Sequence, residues 1–122
     1  NEILRAMNKR FNKDEIRQAN KIFADFGIRR MGFLMLGGPG ETRKSVAQSF
    51  DFVESLDLDA LKITSGIRIY PNTELAKSAV EKGLIAADDD LLFPKFYIVQ
   101  ELKEWLEEFI NDRAKNHPNW FL

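Results

Sequence analysis

The chain has 122 residues, of which 44% are hydrophobic and 30% are charged, and its formal net charge is −1. This composition is typical of one soluble globular domain, and so small a charge gives no general attraction to nucleic acid or to an anionic membrane. Cysteine is absent and His117 is the only histidine, which excludes disulfides, thiolate ligands and a multi-histidine metal site within the chain.

No apolar run approaches the ~20 residues of a membrane span, and no secretory leader opens the chain. We therefore expect a cytoplasmic protein that binds neither nucleic acid nor a membrane. The sequence starts at Asn1, already inside a helical pattern, and from this we expect a fragment of a longer protein.

Two helical segments are predicted before the first strand. The first is short and ends near Lys9. The second is predicted to begin at Asn12, whose side chain can cap it while Glu15 reaches back, and to end at Gly27. Its apolar face is formed by Ile16, Ala19, Phe23 and Phe26.

The apolar run Met31–Leu36 predicts a strand, and its lack of polar residues is typical of strands buried on both faces of a parallel sheet. A turn rich in glycine follows, and glycine permits positive φ or a close approach of the backbone to a ligand. Thr42 is predicted to cap the next helix, which ends near Leu56. A strand, a glycine turn and a helix N-terminus in succession can hold small anionic or nucleotide-like ligands.

A second strand is predicted over residues 60–70, completing a right-handed βαβ unit. Its apolar positions share one phase, namely Leu61, Ile63, Ile67 and Ile69. The other phase is mainly polar and consists of Lys62, Thr64, Gly66, Arg68 and Tyr70. The polar phase fits either an edge strand with one wet face or a strand that faces a barrel interior or cleft.

Three further features follow. A helix is predicted between Pro71 and Gly83, and residues 88–90, all aspartate, predict a solvated turn or a helix cap rather than a cation site. Residues 91–98 are apolar enough that we expect them to pack on the body of the domain. A last helix is predicted over residues 100–115.

The glycine turn nearly matches a phosphate-binding loop, because residues 38–45 read GPGETRKS. In the phosphate loop a second glycine precedes the lysine, and here Arg43 takes that position. Nucleotide hydrolysis is therefore disfavoured. A nucleotide-binding α/β module with a degenerate loop and a structural interaction domain remain as alternatives.

Residues 32–42 (GFLMLGGPGET) resemble the fifth-strand motif of radical S-adenosylmethionine enzymes, and most closely the group that often carries a cobalamin-binding domain. Residues 4–9, 67–76 and 89–97 are similar to other segments of the same enzymes, in the same order. The match departs in three ways, one of which is that the segment that binds the methionine amino group, after the family's second strand, is missing. Gly32 precedes Gly37 by five residues rather than four, and the CxxxCxxC loop that holds a 4Fe-4S cluster is missing.

The resemblance implies an α/β fragment of a partial (βα)6 barrel, with two parallel strands and about five helices. Residues 1–86 would be barrel units, and residues 87–122 a C-terminal extension. The parent enzyme would bind S-adenosylmethionine and a 4Fe-4S cluster, with cobalamin as a further candidate cofactor, and would form a 5′-deoxyadenosyl radical. We expect the isolated chain to be inactive, to hold no cofactor and to form a homodimer in place of its contacts with the rest of the barrel.

The resemblance also assigns roles to residues on both strands. Leu34, Met35, Leu36 and Gly37 would line the adenine pocket, with Gly38 in the same turn. Glu41 would brace that turn rather than perform chemistry. Residues around the second strand's end would contact adenine through their backbone, namely Ile67, Arg68, Ile69 and Tyr70.

Overall fold

The structure is a computed structural model that describes residues 12–122. The short helical segment expected before Lys9, and the resemblance noted over residues 4–9, lie outside the described residues. Four α-helices are present in the described part: α1 (Lys13–Asp25), α2 (Arg43–Leu56), α3 (Glu74–Glu81) and α4 (Leu106–Ala114). The strands are β1 (Met31–Leu36), β2 (Ala60–Ser65), β3 (Ile67–Arg68), β4 (Phe96–Tyr97) and β5 (Trp120–Phe121).

The strands form two small sheets. The larger is a parallel sheet in the order β1-β2-β5, and the smaller pairs β3 with β4 in antiparallel fashion. The α/β class and the parallel β1–α2–β2 unit are confirmed, and β5 is a third parallel strand that the sequence did not predict. Origin from a barrel stays a prediction.

The helix boundaries follow from caps that are visible in the sequence. Asn12 Oδ1 accepts a hydrogen bond from the Glu15 backbone N–H at 2.9 Å. Gly27 has φ +67° and ends α1, and the Ile28 N–H bonds back to the Phe23 carbonyl at 2.8 Å, which satisfies a carbonyl of the last turn. These predicted ends of α1 are confirmed.

One face of the parallel sheet is covered by α2, α4 and the 3₁₀ turn Gln100–Leu102. The core on this face consists of Leu36, Val46, Phe50, Leu61, Ile63, Leu102, Leu106 and Ile110. The other face is open. The prediction that β1 is buried on both faces is wrong. β1 is an edge strand, and every second side chain lies on the open face, where Phe33 is 72% exposed.

The second strand is shorter than predicted. It ends at Ser65, because Gly66 adopts φ +89° and turns the chain towards β4. A Cβ at Gly66 would lie 3.1 Å from the Phe96 Cβ, so the close approach of the two segments also requires glycine. After Gly66 the predicted alternation of apolar and polar residues continues, because Ile69 is buried in a second core cluster with Tyr97.

The C-terminal region agrees with the sequence only in part. As predicted, α3 lies between Pro71 and Gly83, and the structure shows that Thr73 caps its start. The last helix is shorter than the predicted residues 100–115, because a 3₁₀ turn precedes α4. Among residues 12–122, no helix is both long enough and apolar enough to cross a bilayer.

Candidate functional site

Three segments converge where β1 ends. The Leu36 carbonyl accepts a hydrogen bond from the Gly66 N–H at 2.7 Å, and the Gly37 carbonyl accepts one from the Val99 N–H at 2.8 Å. Gly37 has φ +96°, a conformation that residues with a side chain rarely adopt. The glycine turn is therefore held in place by both the β2–β3 junction and the segment after β4.

The structure brings the two sequence-predicted site segments together. A Cβ at Gly38 would lie 2.5 Å from the Cδ1 atom of Ile67, so residues 34–38 and residues 67–70 are in direct contact. Sequence reasoning missed the third member of this site, residues 96–99. Their sequence pattern is merely apolar and carries no signal of pairing with the turn.

The predicted site residues differ in what they can offer a ligand. Leu36 and Ile69 are buried in the two core clusters, so their side chains are not available. Met35, Arg68 and Tyr70 are exposed, and the Arg68 guanidinium lies 5.0 Å from the centre of the Tyr70 ring. Leu34 and Ile67 are half-buried. The exposed side chains are thus an aromatic ring, a thioether and a cation.

Glu41 is a buried acid directly after the turn, with only 4% of its surface exposed. Its carboxylate accepts a short hydrogen bond from the Ser45 hydroxyl, and its N–H bonds to the Gly38 carbonyl at 3.1 Å. Burial raises the pKa of the Glu41 carboxyl, and the Ser45 hydrogen bond partly opposes this rise. These contacts lie within the turn, and the bracing role that the resemblance implies for Glu41 stays a prediction.

The geometry after the turn is unlike a phosphate cradle. Thr42 caps α2 in a reciprocal capping box, in which the Ser45 N–H bonds to Thr42 Oγ1 at 3.1 Å and the Thr42 N–H bonds to Ser45 Oγ at 2.8 Å. Arg43 lies with its guanidinium 5.1 Å from the centre of the Trp105 ring. Because these N–H groups already have internal acceptors, they are not available to a phosphate.

Two cavities adjoin the parallel sheet. A groove of about 1130 Å³ separates α1 from the edge of β1 and from α2. A smaller cavity of about 330 Å³ lies at the opposite edge, against β2 and α4. Within residues 12–122 no cluster of histidine and carboxylate side chains could hold a metal ion, and without cysteine the donor set does not fit a 4Fe-4S cluster.

Comparison with known proteins gives one point of reference. An uncharacterized methyltransferase of Pyrococcus horikoshii is 28% identical over 109 residues, which are 89% of this chain and 24% of that protein. The chain thus spans about a quarter of the length of the curated relative that it matches. No protein-family model matches the chain, and no solved structure matches it significantly.

Proposed function

We propose that this chain is a segment of an S-adenosylmethionine-dependent enzyme of the radical class that its sequence resembles, and that it supplies one wall of the cofactor site. The similarity to a protein named as a methyltransferase supports this proposal, since S-adenosylmethionine is the usual biological methyl donor. The chain itself supplies binding surface and no catalytic group.

The observation that carries the proposal is the meeting of the site segments at the carboxyl end of β1. Parallel α/β sheets bind ligands at the carboxyl ends of their strands. Here Gly37 and Gly38 are buried at that end, where Gly38 lies against Ile67, while Met35 on β1 and Tyr70 beyond β3 are exposed. A planar ligand at this end would therefore meet these two exposed side chains.

Each residue in the wall then has a defined role. Met35 and Tyr70 offer apolar surface to the adenine ring, and Gly38 allows the turn to pack against Ile67. Glu41 and Ser45 fix the turn. In the parent enzyme the cluster would activate the bound cofactor; its ligands must come from another part of that enzyme, because this chain has no cysteine. Cobalamin in the parent stays a prediction.

The test uses the longest natural chain that contains this segment, with S-adenosylmethionine binding measured by calorimetry. Met35→Glu places a charge on the exposed surface beside the turn, and we expect it to weaken binding at least tenfold with an unchanged melting temperature. The matched control is Phe93→Glu, because Phe93 is 78% exposed and lies outside the site. Binding that is absent in the wild type, or equal in Met35→Glu, would contradict the proposal.

A further inference from the structure

The open face of the parallel sheet carries one row of side chains with a distinct chemistry. In the observed register Phe33 pairs with Lys62, and Lys62 pairs with Phe121. Residues paired in parallel strands point to the same face of the sheet. Trp120, the neighbour of Phe121, packs on Phe50 in the covered core, which places Phe121 on the open face. A lysine therefore lies between two phenylalanines.

The two rings of this row are accessible. Phe33 is 72% exposed and Phe121 is 51% exposed. The row crosses three strands, so its outer Cα atoms are about 10 Å apart, twice the spacing of neighbouring strands. Rings of this kind form platforms on which planar groups stack, and stacking adds to the energy of apolar burial.

Lys62 provides the charge of the row. It is half-buried, and its Nζ donates one hydrogen bond, 2.5 Å long, to the backbone carbonyl oxygen of Leu122. An ammonium group has three donors, so two remain. Along the sheet, the next pair on this face is Met35 and Thr64, which carry no charge. The positive charge on this part of the face is that of Lys62.

The smaller cavity begins at the same lysine. Lys62 and Thr64 line it together with Glu107 and Asn111 from α4. The Glu107 carboxylate disfavours a ligand that carries several negative charges. The net charge of −1 likewise disfavours a nucleic-acid backbone. A ligand with a single negative charge therefore meets less repulsion here than a ligand with several.

We propose that this face binds a planar aromatic monocarboxylate, with its ring on Phe33 and Phe121 and its carboxylate on the Lys62 ammonium. An aliphatic acid would use the charge but not the stacking surface, and a neutral aromatic would use the rings but not the charge. The site lies in the middle of the strands rather than at their carboxyl ends. It thus goes beyond the cofactor wall and does not depend on it.

The experiment titrates the ¹⁵N-labelled longest natural chain that contains this segment with 2-naphthoate and follows backbone amide shifts by NMR. We expect saturable shifts centred on residues 33, 62 and 121. Two matched probes separate the contributions: 2-naphthalenemethanol keeps the rings without the charge, and cyclohexanecarboxylate keeps the charge without the aromatic surface. Each is expected to bind at least fivefold more weakly than 2-naphthoate.

Two pairs of variants complete the test. Lys62→Met keeps the aliphatic stem and Phe33→Leu keeps an apolar side chain, and each is expected to weaken 2-naphthoate binding at least fivefold. Lys103→Met and Phe93→Leu, at exposed positions away from the row, should leave it unchanged. Because Phe33 is so exposed, Phe33→Leu remains folded even if Lys62→Met does not.

The inference is overturned if 2-naphthoate does not bind saturably, if the uncharged probe binds equally well, or if the largest shifts fall away from the row. Its failure is distinguishable from that of the cofactor proposal. Cofactor binding is measured with S-adenosylmethionine and Met35→Glu, whereas this site is measured with 2-naphthoate and with variants in the middle of the sheet.

Discussion

Phe50 joins the β1–α2–β2 unit to the C-terminal part of the chain, and its removal tests whether the two fold together. Its side chain is fully buried on α2. The ring lies 5.6 Å from that of Phe109 on α4 and 5.7 Å from that of Trp120 on β5, measured between ring centres. Phe50→Ala therefore removes contacts with both C-terminal elements at once.

We expect Phe50→Ala to lower the free energy of unfolding by about 4–5 kcal/mol, the upper part of the range for buried Phe→Ala changes, because the surrounding rings cannot close the cavity. Aromatic pairs also contribute about 0.5–1.5 kcal/mol each beyond area burial. A small domain has only about 5–15 kcal/mol in total, so the variant should be close to unfolding at room temperature.

The assay is urea unfolding followed by circular dichroism, which reports the helices, and by tryptophan fluorescence, which reports Trp105 and Trp120. Coincident transitions would show one cooperative unit. Phe52→Ala is the matched control, because Phe52 is half-buried on the same helix, beside the Arg17 guanidinium; it should cost less than about half as much. Equal costs, or separate transitions in the wild type, would refute the reasoning.

Three further predictions follow from particular contacts. Burial raises the pKa of the Glu41 carboxyl above 4.5, so the folded chain holds the carboxyl proton more tightly than the unfolded chain does. The stability of the wild type relative to Glu41→Gln, measured by urea unfolding at each pH, should therefore be greatest below about pH 4.5 and fall as pH rises through the raised pKa. A relative stability that rises with pH would contradict this. Arg30 Nη1 donates a hydrogen bond to Asn20 Oδ1 at 2.8 Å, and Nη2 donates one to the Asp57 carbonyl at 3.2 Å. Arg30→Met should therefore lower the free energy of unfolding, measured by thermal unfolding, by about 1–3 kcal/mol. A decrease of less than about 0.5 kcal/mol would be evidence against these contacts. The edge strand β1 contains neither a charged residue nor proline to discourage pairing, and we predict a homodimer by light scattering at micromolar concentration; a 14.1 kDa particle would show that the chain is monomeric.

Local signals in the sequence predicted much of the fold. The predicted capping side chains of Asn12 and Thr42 lie where their helices begin, because a cap depends on residues within one turn. The apolar phase of Leu61, Ile63 and Ile69 is buried as expected, since alternation along a strand also depends only on near neighbours.

What the sequence did not predict depends on distant contacts. Gly66 reads as one more position in an alternating strand, and only its packing against Phe96 shows why the strand breaks there. The two residues of β5 are too few to give a strand pattern. The exposure of Phe33 follows from the position of β1 at the edge of the sheet, which an apolar run alone cannot indicate.

The two segments that the sequence assigned to the candidate site are in contact, whereas the exposure of their side chains was not predicted. The glycine turn and residues 67–70 do meet in the fold, and Glu41 is buried at the turn. Which side chains remain accessible was not evident from the sequence, because Leu36 and Ile69 enter cores that distant segments complete.

The most direct test of the central proposal is photolabelling of the longest natural chain that contains this segment, using 8-azido-S-adenosylmethionine and peptide mapping by mass spectrometry. The azide reacts at the adenine ring and so reports what that ring touches. We predict that excess S-adenosylmethionine suppresses the label and that the label lies within residues 34–38 or 67–70 of this segment. Competable labelling that lies entirely outside this segment would contradict it.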